Sequence, residues 1–141
     1  ALRSMLDNDI TAQLAGLLKH ADWQVRQTAV SAIGKSADKT VAPSIRELLG
    51  DKSDLVRGAA ASALGELGDN EAIPFLKALM DDNELVPRAG AGIALVHLGA
   101  KDLVPPRVVD DIKQILPLCV GDWAARIRSA LKPLGPDGDN K

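Results

Sequence analysis

Three kinds of position in this chain keep one spacing of 31 residues. Arginine stands at 26, 57 and 88 (26 + 31 = 57; 57 + 31 = 88), a large aliphatic residue at Ile33, Leu64 and Leu95, and proline at 43, 74 and 105. Independent residue types sharing one period define a repeat architecture, in which each unit buries its apolar face only against its neighbours. The clearest unit is Asp54 to Asp69, an amphipathic stretch with a small-residue stripe closed by Gly68. Its length, periodicity and closing glycine predict a helix.

Each repeat reads as two helices. The first, here the A helix, spans about 10–19 in the first complete unit. Leu14, Leu17 and Leu18 have the i, i+3, i+4 spacing of a buried stripe. They align with Ile45, Leu48 and Leu49, then with Leu76, Leu79 and Met80. Pro43 and Pro74 fall in the first turn, where the missing N–H has no helical partner. A short polar turn follows, and then the B helix, predicted over 23–34, 54–67 and 84–98. The B helices share the faces Val25/Ala29/Ala32/Ile33, Val56/Ala60/Ala63/Leu64 and Pro87/Ala91/Ala94/Leu95. Alanine at two of the four positions in each lets helix axes approach closely. In the same register Ala1-Leu2 is the end of a preceding helix, and Asp7 lies with Asp38 and Asp69 in inter-repeat loops. The opening on Ala1 suggests a fragment, a processed product or a degraded cap.

After Pro105 the pattern loosens. An A-like helix is predicted over about 106–116, and Asp122-Trp123-Ala124-Ala125-Arg126 echoes Asp22-Trp23-Gln24-Val25-Arg26 after an insertion of seven residues. The expected fold is all-α: a right-handed solenoid of about four antiparallel helix pairs over 1–135, its first repeat truncated and its last irregular. Residues 136–141 form a disordered tail.

Composition removes several function classes. A net charge of −2, with 7 basic and 6 acidic groups in 101–141 against 10 and 13 before them, leaves no basic stripe for nucleic acid or an anionic membrane. No apolar run is long enough for a membrane span. One cysteine, Cys119, allows neither an intrachain disulfide nor a metal cluster, and a reduced, cytoplasmic setting is mildly favoured. His20 and His97 occupy non-equivalent positions with no second ligand at metal spacing. No nucleophile turn is recognisable. Neither a catalytic residue, a metal nor a cofactor is expected.

The string Trp-x-Val-Arg-x-x-Ala, then Ala-Ile/Leu-Gly, Val/Ile-Pro and a Leu-Leu helix, resembles the HEAT-like repeat named after phycobilisome lyases. The likeness covers 1–116 well and 117–135 loosely. Val96 departs from it where Gly34 and Gly65 stand, and so does Pro87 where valine is expected. The resemblance implies a right-handed stack of helix pairs acting as a scaffold, a regulatory module or a bilin-lyase subunit. A related branch, the deoxyhypusine hydroxylases, binds iron through His-Glu pairs. This chain has none, since Gln27-Thr28, Gly58-Ala59 and Ala89-Gly90 follow the repeat arginines. Nucleic-acid binding of the kind seen in HEAT-like DNA glycosylases is disfavoured by the acidic balance.

Arg26, Arg57 and Arg88 should stack on the order of 10 Å apart. They form either a phosphate-binding column or, as the recurring Asp22, Asp51, Asp82, Asp7, Asp38 and Asp69 favour, a structural ladder between repeats. Helical phase sets 24, 27, 31 and 35 on the outer, concave B-helix face. Along the stack this face changes from Gln24, Gln27, Ser31 and Lys35 to Leu55, Gly58, Ser62 and Glu66, then to Val86, Ala89, Ile93 and His97. Leu55, Gly58, Ser62, Val86, Ala89 and Ile93 therefore form the candidate docking trough, unless the C-terminal unit covers the last three. Trp23 and Trp123 open B helices as partner anchors or as lids over the core. The function expected is a non-catalytic scaffold for a protein partner. The alternative is an auxiliary or regulatory subunit of an enzyme, including a bilin-lyase-like tetrapyrrole chaperone.

Overall fold

The computed structural model describes residues 2–36 and 38–115, with side chains from Asp9 onward. The expected last B helix with Trp123, Cys119 and the tail lie outside these residues. Within them are seven α-helices: α1 (Leu2–Gly16), α2 (Trp23–Gly34), α3 (Ala42–Glu47), α4 (Asp54–Leu67), α5 (Ile73–Leu79), α6 (Leu85–His97) and α7 (Pro106–Ile115). Odd-numbered helices are A helices and even-numbered ones are B helices. Consecutive helices pack on one another, and B packs on B along the stack, α2 on α4 and α4 on α6.

Helix ends follow local chemistry. Asp22 caps α2, its carboxylate accepting the Gln24 N–H at 2.9 Å. Pro43 and Pro74 sit in the first turns of α3 and α5. Pro87 lies in the first turn of α6, which is why the helix runs unbroken past it. Gly68 (φ +73°) and Gly99 (φ +78°), one period apart, end α4 and α6 in the left-handed region. The N–H groups of Gly68 and Asp69 turn back to the carbonyls of Gly65 and Leu64, and those of Gly99 and Ala100 to Val96 and Leu95.

The first repeat departs from the expected layout. Residues 2–16 form one continuous helix, so Asp7 lies inside α1 and not in an inter-repeat loop. Ala12 occupies the register position of Pro43 and Pro74, and Leu6 that of Gly68. With neither breaker present, the helix extends through the segment. Leu17 of the predicted buried stripe is 40% exposed, whereas its equivalent Leu79 is 8% exposed. Ala32 is likewise exposed while Ala63 and Ala94 are buried. Both residues lie on the side of the first helix pair that no other helix pair covers among the described residues.

The core is aliphatic. Ile33, Leu64 and Leu95 are fully buried beside Val30, Ile45, Val56, Leu76, Val108 and Ile112, and none of the buried residues described is aromatic. Glycine sets the spacing of the B helices. A Cβ on Gly34 would stand 2.9 Å from Ala63 Cβ, and one on Gly65 would stand 2.7 Å from Ala94 Cα, the same contact one period on. A Cβ on Gly90 would meet the Gly58 carbonyl oxygen at 2.9 Å. These are backbone-to-backbone approaches with no room for a methyl group.

Gly65→Ala should therefore destabilise the fold by about 1–3 kcal/mol through overpacking, in spite of its better helix propensity. Gly50→Ala, whose Cβ meets nothing within 4 Å, should be close to neutral. Urea denaturation midpoints of the two variants check this; equal midpoints would refute it.

Candidate functional site

The repeat arginines act where A turns into B. Arg26 of α2 donates through Nε and Nη2 to both carboxylate oxygens of Asp51 in the next turn, at 2.9 Å each. Arg57 of α4 grips Asp82 in the same way at 2.9 and 3.1 Å, and Arg88 of α6 grips Asp111 at 2.8 and 3.2 Å. The remaining Nη1 is also spent. It donates to the His20 and Ala21 carbonyls from Arg26, to Asp51 and Lys52 from Arg57, and to Asp82 and Asn83 from Arg88. Each guanidinium thus ties its own turn to the next repeat through four hydrogen bonds within the chain.

The acids are not all those expected. Asp51 and Asp82 take part, but Asp22 caps α2. Asp69 receives Arg46 at 2.7 and 3.2 Å, and that arginine also reaches Glu71 at 3.1 Å. The third acid, Asp111, comes from α7, because the register position of Asp82 one period on is Lys113. His20 stands where Asp51 and Asp82 stand, and its Nδ1 accepts the Asp22 N–H just as those carboxylates accept the N–H of Ser53 and Glu84.

Burial pushes the Asp51 carboxyl upward. The hydrogen bonds from Arg26 and the Ser53 N–H, with the charges of Arg26 and Arg57, more than offset this and hold it below the usual aspartate value. Burial acts on Asp82 in the same sense. There the Glu84 N–H, the Arg57 hydrogen bonds and the charges of Arg57 and Arg88 prevail, and its pKa is lowered too.

The outward B-helix face is narrower than the predicted trough. Leu55, Ser62 and Val86 are half-buried on it, but Gly58, Ala89 and Ile93 are buried. Gly58 lies against Val86, where an added Cβ would stand 2.5 Å from Cγ1. Ala89 is fully buried and Ile93 is 2% exposed within the core. The column 27, 58, 89 points between neighbouring B helices. In the adjacent column Thr28 is exposed, Ala59 is half-buried against the core and Gly90 is buried.

Two open grooves lie along the turns. One, of about 460 Å³, is lined by Ala21, Trp23, Arg26, Lys52, Ser53, Asp54 and Leu55. Trp23 is 37% exposed at this groove. The other, of about 380 Å³, lies between successive A helices beside Phe75. Among the described residues no cluster of three or more histidine, cysteine, aspartate and glutamate side chains could hold a metal ion. No described helix is long and apolar enough to cross a membrane.

Stacked A/B helix pairs, spaced by small residues and tied by arginine at each turn, define an α-helical repeat array. A family model described as HEAT repeats matches residues 10–96, and the chain belongs to the HEAT repeat family. HEAT repeats are in general protein-interaction scaffolds. Among curated proteins no relative matches the chain.

Two expected outcomes follow from this geometry. Arg57→Ala should lower stability by roughly 1–3 kcal/mol, since it leaves the Asp82 carboxylate and two turn carbonyls without their charged donor. Asp51 and Asp82 bind protons less readily folded than unfolded, so their stabilisation is complete above the unfolded aspartate value of about 3.9. It is withdrawn as pH falls through the lower folded values. Urea midpoints should stay level from about pH 7 to 5 and drop below about pH 4. The Asp51→Asn, Asp82→Asn double variant should start lower and drop less. An unchanged slope in that variant would remove these two groups from the account.

Proposed function

We propose that the chain is a non-catalytic interaction scaffold that holds a protein partner on its B-helix side. The contact is anchored at Trp23 and Leu55 and extends across the exposed Gln24, Thr28 and Ser31 to Ser62. One observation carries the reading: Trp23 and Leu55 line the same open groove, in a chain whose described core uses no aromatic side chain. Aliphatic packing closes the stack without this ring. A partly exposed tryptophan beside a leucine, with polar residues around them, is the kind of anchor that concentrates binding energy at protein interfaces. Arg26, Arg57 and Arg88 each spend four hydrogen bonds within the chain and face an aspartate, which weighs against a phosphate-binding column.

Trp23→Ala and Ser62→Arg should each remain folded, with melting curves near that of the parent chain, and should each lose the partner. Ala89→Glu should instead unfold the stack, since it buries an unpaired carboxylate at a cost of several kcal/mol. Affinity capture from source-cell extract with parent and variants, read by mass spectrometry, is the test. A set of proteins retained by the parent and lost by both folded variants is the expected result. The same set on all three would refute the B-helix surface.

A further inference from the structure

The first turn is built with an imidazole where the next two use a carboxylate. Asp51 and Asp82 each accept the N–H two residues ahead, from Ser53 and Glu84, at 2.9 Å. His20 stands one period before Asp51 and accepts the Asp22 N–H through Nδ1 at 3.0 Å. An N–H aimed at Nδ1 requires a lone pair there, so the ring is neutral and carries its proton on Nε2. An ionised aspartate remains an acceptor throughout the neutral range. Imidazole does not, because it is the side chain that gains a charge between about pH 8 and 5. The ring is exposed, so protons reach it directly from solvent.

A proton on Nδ1 turns this acceptor into a donor. Two donors then face each other across the turn, and imidazolium has no second nitrogen to offer as an acceptor. The new charge also falls beside the N-terminus of α2, where the helix dipole disfavours a cation. The charged groups around the turn leave it uncompensated. Lys19 precedes it, and Lys52 lines the same groove as Ala21. Arg26 lies against the His20 carbonyl at 2.7 Å. Asp51 is taken by Arg26 through both oxygens, and the Asp22 carboxylate caps α2 through the Gln24 N–H. The residue enclosed by the His20–Asp22 bond is Ala21, which lines the open groove with Trp23 and Leu55.

We propose that the His20–Asp22 turn is a pH-responsive wall of the Trp23 groove, closed around Ala21 while the imidazole is neutral and released once Nδ1 takes a proton. The response is local. Arg26 holds the His20 and Ala21 carbonyls at 2.7 and 3.0 Å through bonds that do not involve the ring, so the helix pair stays assembled. What changes is the position of Ala21 at the groove and the positive charge at its edge. The consequence for a bound protein rests on the Trp23 surface proposed as the contact; the movement of the turn does not.

The test is a series of proton–nitrogen NMR spectra of the full chain from about pH 8 to 5, the range over which imidazole titrates. The backbone amides of Ala21 and Asp22 and the indole N–H of Trp23 should move together, along the curve traced by the His20 ring protons. The Ser53 and Glu84 amides, which face carboxylates, should stay in place. His20→Asp installs the residue of the later turns, so the fold should survive and the Ala21, Asp22 and Trp23 signals should stay fixed across the range. Signals that stay fixed in the parent chain would overturn the proposal, and so would movement that persists in His20→Asp. A shift at Asp22 that reaches neither Ala21 nor Trp23 would also overturn it, since the bond would then not shape the groove. No partner enters these readings, so their failure is distinct from failure of the Trp23 surface, which affinity capture reads.

Discussion

Successive B helices meet at backbone distance, and the other features of the stack accommodate that constraint. The Gly34–Ala63 and Gly65–Ala94 crossings have no space for one more methyl group. Helices this close leave thin layers between them, which Ile33, Leu64 and Leu95 fill without an aromatic ring. Close spacing also brings each turn within reach of an arginine from the previous repeat. The large rings that the layers do not take up, Trp23 and Phe75, stand at the surface beside the two grooves.

The arginine contacts have two parts with different physical weight. The pair between repeats is only partly screened from water, since the Arg57 and Asp82 side chains keep 17% and 15% of their exposure. Desolvation therefore offsets much of its attraction. The bonds from Nη1 to the turn carbonyls satisfy groups that have no helical partner where an A helix ends. The acid, in turn, accepts a backbone N–H of its own turn. One side chain thus shapes the loop it leaves and fastens the loop it reaches, which is why arginine holds the period at 26, 57 and 88 and aspartate holds it at 51 and 82.

Much of this architecture is legible from residues. The B helices Trp23–Gly34 and Asp54–Leu67 are bounded by polar turns before them and small or glycine closures after them, and the 31-residue register carries one boundary to the next. The register misleads where a breaker is missing, as at Ala12, because periodicity in apolar residues says nothing about an absent proline. It also hides contacts that occur once. Arg46–Asp69 has no counterpart at Lys77 and Ala100, and Asp111 substitutes for an acid that the period would place at Lys113. Half of the expected trough, Gly58, Ala89 and Ile93, is buried because a B helix is flanked on both sides and its free arc is narrow. Neighbouring residues stand about 100° apart around a helix, so periodicity alone does not separate the half-buried Leu55 and Ser62 from the buried Gly58.

The three arginine contacts all lie along one edge of the stack, where A turns into B. The opposite edge, where B returns to A, carries the left-handed glycines Gly68 and Gly99. Beside Gly68, however, Arg46 of α3 reaches Asp69 and Glu71, so both edges are fastened there. At Gly99 the equivalent positions are Lys77 and Ala100, which form no such pair. The stack should therefore change curvature more readily at the Gly99 return than at the Gly68 return, and a partner seated near Trp23 rests on its stiffer part.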